Sequence, residues 1–282
     1  MTKKNMKIYK TKENIIIENE NNFYLLKNEN WDSFINDDNL YAKLNKMVAN
    51  LEPANNGMGL IKNIEAPIGL QELWASGVTY MRSKVGRQEE SKKAGGGDFY
   101  ARVYEAERPE LFFKASANRI VGHNQKVRIR KDSTWDVPEP ELTLVITSNG
   151  KIVGYTIGND MSSRSIEGEN PLYLPQAKTY DKCAALGPCI YVPENPIPHD
   201  TNIHIDVKRN TEIVFEGDVA VNQIKRKMEE LVSFLYRECS FENGSMLMTG
   251  TGIVPTSEFT LKSGDEISIT IDNIGTLINT VE

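Results

Sequence analysis

Glu139, Glu141 and Asp160 are the residues whose type and spacing promise chemistry. The two glutamates stand one residue apart in WDVPEPELTLV (135–145), where an apolar run begins. Alternation along a strand puts both side chains on one face. The third acid reaches them through a hairpin. In LTLVITS-NG-KIVGYTIG, Asn149-Gly150 separates two apolar runs, which predicts a two-residue type I′ turn and a fixed register. Ser148 then faces Lys151, Glu141 faces Gly158 and Glu139 faces Asp160. The three acids share their face with Thr143, Thr156, Gly154 and Gly158; Leu142, Leu144, Ile146, Val153, Tyr155 and Ile157 form an apolar opposite face. Three carboxylates this close repel one another, and desolvation adds to the cost. A divalent cation removes both problems. Oxygen-only ligands suit Mg²⁺, Mn²⁺ or Ca²⁺ rather than zinc. Two other outcomes stay open from the residues alone: the strands fray and leave the acids in solvent, or a bulge at Pro138 or Pro140, which cannot donate ladder bonds, shifts the register.

The elements that must position these acids are mostly strands. LFFK, ELTLVITS, KIVGYTIG, CIYVP, IHIDVK, EIVFEG, EISITID and LINTV all read as strands. NQIKRKMEELVSFLYREC reads as one helix, with Ile224, Met228, Leu231, Val232 and Leu235 on one face. FYARVYEAERP is a helix stopped by Pro109, and the charged, glycine-bearing stretch 83–100 before and into it is expected to be a mobile lid or a plain solvated loop. Residues 1–65 hold two short strands and a short helix and are expected to form a small N-terminal α+β domain, with 66–282 as the catalytic domain. The fold class is a β-rich α+β protein.

Composition narrows the function. The 282 residues are 39% hydrophobic and 26% charged, an ordinary globular balance. A net charge of −6 argues against nucleic acid or an anionic membrane as the main partner. No apolar run approaches a membrane span, and the N-terminal MTKKNMKIYKTKEN has no apolar signal region. Three cysteines without a CxxC, and three histidines without ligand spacing, point to a reduced cytoplasmic protein and away from zinc.

PEPELTLVITSNGKIVGYTIGNDMSSRS, followed by LYLPQAKTYDKCAALGP and, later, TGTGIVP, resembles the fumarylacetoacetate hydrolase superfamily. The shared pattern is Glu-x-Glu, an Asp in an NDxSxR segment, and a lysine before an LGP turn. The resemblance runs from about residue 70 to the end. It implies a mixed β-sandwich roll with a small N-terminal domain, usually a homodimer or dimer of dimers, and Mg²⁺ held by Glu139, Glu141 and Asp160. RPELFFKASANRIVGH, ENPLYLPQAKTY and WDVPEPEL look most like the branch that dehydrates 2-keto-3-deoxy sugar acids, such as 2-keto-3-deoxy-D-arabinonate to 2-oxoglutarate semialdehyde in pentose catabolism. On that likeness Glu110 and Lys178 match catalytic positions, and Ser116, Arg164 and Thr251 match substrate contacts.

One departure stands out: Ser165 occupies a position that is commonly acidic in the family, which puts the acid's hydrogen bond to Arg164 in doubt. Family members that hydrolyse C–C bonds of acylpyruvates or diketo acids activate water with a histidine paired to a glutamate. Residues 1–122 contain no histidine, so the lid position falls to another residue, Glu89 or Glu90, and a lyase is favoured over a hydrolase. A catalytically inactive metabolite-binding homologue is the third reading, with Ser165 as its support. For the lyase, a 2-keto acid chelating the ion has acidified C3 protons; a base removes one while an acid helps the C4 hydroxyl leave. Lys178 is the base or a neutralising charge, and Glu110 is base or acid.

Overall fold

The computed structural model describes the backbone of residues 5–91 and 97–282 and the side chains of 5–86 and 101–282. The chain begins with β1 (Met6–Lys10), β2 (Asn14–Asn19), β3 (Asn22–Lys27), α1 (Trp31–Ile35), α2 (Leu40–Val48), α3 (Gly57–Leu60), β4 (Glu72–Gly77), α4 (Met81–Ser91) and α5 (Gly97–Glu105). It continues through β5 (Glu110–Ser116), β6 (Ile120–Val121), β7 (Lys126–Val127), β8 (Asp136–Val137), β9 (Pro140–Ile146), β10 (Ile152–Asp160), β11 (Ser162–Ser163), α6 (Arg164–Glu169) and α7 (Leu174–Lys178). It closes with β12 (Ala184–Val192), β13 (Asn202–Arg209), β14 (Glu212–Ala220), α8 (Met228–Leu235), β15 (Ser245–Met248), β16 (Glu266–Ile271) and β17 (Gly275–Val281).

Two mixed sheets account for most of this. The larger runs β3-β2-β1-β12-β10-β9-β15-β4-β5 with β6 beside β12, and the smaller runs β14-β13-β16-β17-β7. Leu142, Leu144 and Ile157 from the first sheet pack with Ile203, Ile205, Ile267, Ile269 and Leu277 from the second, making the interior of a sandwich. Each of these fully buried aliphatic side chains contributes roughly 1.5–3 kcal/mol. The other face of the large sheet is covered too. Val145, Leu186, Ile190 and Met246 pack there with Met6, Ile8, Trp31, Phe34, Leu40 and Leu44. The N-terminal segment, expected as a small unit of its own, therefore adds three strands to the edge of the large sheet and shares this second core.

The hairpin differs from its expected form at the tip and agrees with it at the acids. Of the Asn149-Gly150 pair, Gly150 has φ +76° and Asn149 is not left-handed, so a type I′ turn, which needs both, does not form. Gly150 N–H donates to Thr147 O and Thr147 N–H to Lys151 O, closing a three-residue loop. Ile152 consequently faces Ile146, one step out of the expected register. A bulge at Val153 takes up that step. From Gly154 opposite Val145 onward the pairs follow the expected register, with Gly158 opposite Glu141 and Asn159 opposite Pro140. The bulge also turns Val153 to the second core, away from the Leu142 face where alternation placed it.

Neither proline breaks the ladder. The even positions of β9 point their backbone groups away from β10, as Leu142 O shows by accepting from Thr249 N–H. By Pro140, β15 no longer runs beside β9, since their pairing stops at Met248 opposite Thr143. The missing proline N–H therefore has no strand to serve.

Two helix expectations are corrected. The helix expected across 222–239 is confined to Met228–Leu235, because Ile224 bridges to Tyr80 and Lys225 N–H bonds Thr79 O. Residues 83–100, expected as a lid loop, include most of α4 and the start of α5. The side chains of Glu89, Glu90 and Phe99 lie outside the described residues.

Candidate metal centre

β9 and β10 deliver the three acids together. Ligand oxygens of Glu139, Glu141 and Asp160 lie within 4.8 Å of one another, and all three residues are buried. The backbone ties their strands at that level: Asp160 N–H donates to Glu139 O at 2.9 Å. A narrow cleft above them is walled by Ser76, Gly77, Val78 and Ser83 from the β4–α4 corner, by Phe112, and by Arg164, Lys178, Gly250 and Thr251. A roomier groove elsewhere, near Tyr41, Lys151, Tyr155 and Tyr236, holds none of these acids.

Lys178 closes one side of the cluster. It is the last residue of α7, whose start is set by Pro175 in the first turn. Its ammonium lies 2.5 Å from Glu139 Oε2, 2.9 Å from Asp160 Oδ2 and 2.6 Å from Ser162 Oγ. The opposite oxygen, Asp160 Oδ1, pairs with Lys114 Nζ at 2.6 Å. Arg164 sits at the start of α6, capped by the Ser163 hydroxyl. Its Nη2 donates to Glu139 Oε1 at 2.6 Å. Its Nε stands 3.6 Å from Glu167 Oε2, and Lys178 Nζ stands 3.6 Å from Glu167 Oε1. Glu167 thus faces Arg164, the contact that Ser165 left in doubt; Ser165 bonds Ser133 Oγ at 2.9 Å and accepts from Thr134 N–H.

Glu141 is held differently. Gly250 N–H donates to its Oε2 at 2.5 Å. Gly250 has φ +89°, and a Cβ there would fall 2.1 Å from Thr79 Oγ1, so the position requires glycine. Burial, then the charges of Asp160 and Glu139, push the Glu141 carboxyl well above the usual range, with Lys178 and the Gly250 N–H opposing. Burial, with Glu141 adding to it, likewise pushes the Tyr80 hydroxyl up. This frustration is the test of fit. Three convergent oxygen donors, one of them resisting ionisation because it is buried and its neighbours are anionic, suit a hard divalent cation such as Mg²⁺.

The remaining sequence candidates divide. Thr251 lines the cleft, and its Oγ1 accepts from Ile253 N–H at 3.1 Å. Glu110 opens β5 opposite Gly77; a Cβ on Gly77 would fall 2.0 Å from Glu110 Oε2, so that carboxylate rests against the cleft wall. Ser116 is at the other end of the same strand, opposite Glu72, where its hydroxyl bonds Asn118 and Arg119 and does not line the cleft. No histidine lines the cleft; His123 Nδ1 accepts from Ile278 N–H and His204 pairs with Asp218. Lys114 and Glu167 went unnoticed in the sequence. The signal for Lys114 was a lysine inside the apolar run LFFKAS; for Glu167 it was helical i,i+3 spacing from Arg164.

A two-sheet roll with an oxygen-only carboxylate triad and a lysine set into it defines a protein built to carry a hard divalent cation over a small-molecule cleft. The model of the fumarylacetoacetate (FAA) hydrolase C-terminal family matches residues 81–282, and the chain belongs to that family. It is 46% identical over 221 residues to a probable 2-keto-3-deoxyxylonate dehydratase of Haloferax volcanii, covering 78% of this chain and 75% of that one. It is equally identical over 221 residues to a 2-dehydro-3-deoxy-D-arabinonate dehydratase of Saccharolobus solfataricus, covering 78% and 74%. A solved 2-keto-3-deoxy-D-arabinonate dehydratase complexed with magnesium and 2,5-dioxopentanoate superposes with a TM-score of 0.82 at 36% identity, covering 99% of this chain and 98% of that one.

Proposed function

We propose that this chain is a Mg²⁺-dependent hydro-lyase that removes water from a 2-keto-3-deoxy sugar acid. The observation that carries the reading is the buried Glu139–Glu141–Asp160 triad with Lys178 set against two of its members. The dehydratase relatives and the magnesium-bound neighbour support it. Glu139, Glu141 and Asp160 would hold the ion, with Mn²⁺ or Ca²⁺ as substitutes. Bound there, it supplies Lewis-acid polarisation of the substrate's 2-oxo group.

The chain's own groups do the rest. Lys178, on the cleft wall, would take the proton from C3 as the neutral amine, having first given up one proton of its ammonium to solvent. Glu110, behind Gly77, donates to the departing C4 hydroxyl. The C4 hydroxyl leaves as water with the proton from Glu110, and the C3 proton left on Lys178 returns through solvent to reset the pair. Arg164 and Thr251 contact substrate oxygens from the wall, and Arg164 also holds Glu139 in place. Ser116, at the far end of β5, has no part in this reading. Val78, with φ +52° in a β-branched residue, keeps the β4–α4 corner turned so that Ser76 and Ser83 both border the cleft.

The test is a panel of five- and six-carbon 2-keto-3-deoxy acids, followed by NMR with Mg²⁺ and again with EDTA. Water loss from at least one, abolished by EDTA, is expected. Metal-loaded protein that leaves the panel untouched but cleaves acetylpyruvate makes it a C–C hydrolase. A role in pentose catabolism, a cytoplasmic location and a homodimer or dimer of dimers belong to the same proposal; sedimentation of the purified protein tests the assembly. No helix among the described residues is long and apolar enough to cross a membrane.

A further inference from the structure

Lys114 is fully buried, and it does not line the cleft. Its ammonium lies 2.6 Å from Asp160 Oδ1 and donates to Met161 O at 2.9 Å and to the carbonyl of Lys178. Two backbone carbonyls accept from it and a carboxylate stands at ion-pair distance, so the ammonium is committed to protein groups. The Lys178 carbonyl is one of the last of α7, without a partner inside its own helix. One nitrogen therefore joins the end of β10, which carries a triad acid, to the end of α7, which carries Lys178. Asp160 is held from both sides, Oδ1 by Lys114 and Oδ2 by Lys178. Packing alone does not ask for a lysine here. Burying a cation is costly even when it is paired, and an apolar side chain would fill the same volume at less cost.

We propose that Lys114 is a positioning residue: it fixes the Asp160 carboxylate and the Lys178 backbone relative to each other, so that the metal corner and the proton-accepting amine of Lys178 keep one separation. The inference rests on the triad being a divalent-cation centre. The sign of one measurement separates it from a plain charge effect. On charge alone, removing a cation beside Asp160 tightens the binding of another cation. If Lys114 positions Asp160, its removal weakens it.

The experiment compares wild type, Lys114→Met and Lys114→Arg by Mn²⁺ titration calorimetry without substrate, then by kcat and KM with Mg²⁺. Loss of an orienting group beside a metal ligand typically costs about 10–100-fold in affinity or activity. Lys114→Met is expected to lose about that much in both Mn²⁺ affinity and kcat, with little change in KM, and Lys114→Arg to recover part of each. Mn²⁺ binding to Lys114→Met that is unchanged or tighter overturns the proposal. If the Met variant melts below the assay temperature, the Arg variant decides. Its planar fork cannot serve three acceptors grouped around one nitrogen, so it should show smaller losses of the same sign; behaviour identical to wild type overturns the idea. A wild type that binds Mn²⁺ but turns over no keto acid sinks the substrate assignment and leaves the calorimetry decisive for Lys114. A wild type that binds no Mn²⁺ overturns both.

Discussion

Lys178 Nζ and Glu139 Oε2 stand 2.5 Å apart in a site where Glu139 is also held by Arg164. Glu139, like Asp160, is thus paired with two cations. Glu141 has a backbone N–H as its close donor and carries the strain, its carboxyl pushed up by burial and by its anionic neighbours. The two glutamates of one Glu-x-Glu motif should therefore respond differently to substitution.

Glu141→Gln removes a like charge from a buried cluster. The metal-free variant should melt above metal-free wild type, and Mg²⁺ should no longer raise its melting temperature. Turnover should fall on the order of 10³-fold, since a metal's charge stabilisation is worth several kcal/mol. Paired melting curves with and without Mg²⁺ check the first claim.

Lys178→Met takes away the proposed proton carrier and leaves all three acids in place. Turnover should drop by about 10²–10⁴-fold. Mn²⁺ should bind at least as tightly as to wild type, because the cation competing for Glu139 and Asp160 has gone. Equal losses of binding and turnover would make Lys178 a structural residue instead.

Gly77→Ala places a methyl where Glu110 Oε2 now lies, 2.0 Å from the new carbon. The carboxylate has to move by about an ångström, and a displacement of that size can cost ~10²-fold in rate. The variant should fold, bind Mn²⁺ normally and lose kcat; an unaltered kcat removes Glu110 from the reaction.

Asp136 gives the pH prediction. Burial raises its carboxyl from 3.8 to about 6, against weaker help from Ser133 and Arg130. A group whose folded pKa is raised stabilises the fold below its unfolded pKa and loses that contribution as pH climbs through the folded value. Wild-type stability should therefore fall from this group between pH 3.8 and about 6. Asp136→Asn, neutral throughout, should lack that component, so its urea midpoint relative to wild type should rise across the same interval and then level off.

The triad could be read from sequence because strand alternation and a turn signal are local, and both act within about ten residues of the hairpin tip. Even so, the turn type was misjudged, and the acids met only because a three-residue loop and a bulge at Val153 cancel. Lys114 was missed for a different reason. Lys114 finds its partners 47 and 64 positions away, just past the end of β10 and on α7, and no local rule reports such contacts. Ser116 was misplaced by strand length: one strand that puts Glu110 beside Gly77 carries Ser116 beyond the site. The apparent polar face was also incomplete as a reading, since the N-terminal segment that covers its far half is remote in sequence.

The bulge at Val153 divides the hairpin into two lengths of ladder with separate alignments. Changes in loop length at Asn149-Gly150 can be absorbed at that joint before they reach Asp160. The tip is thereby insulated from the chemistry, which makes it a place where evolution, or an engineer grafting a peptide, can vary the chain freely as long as the bonds from Thr147 and Asn149 to Asp38 are kept.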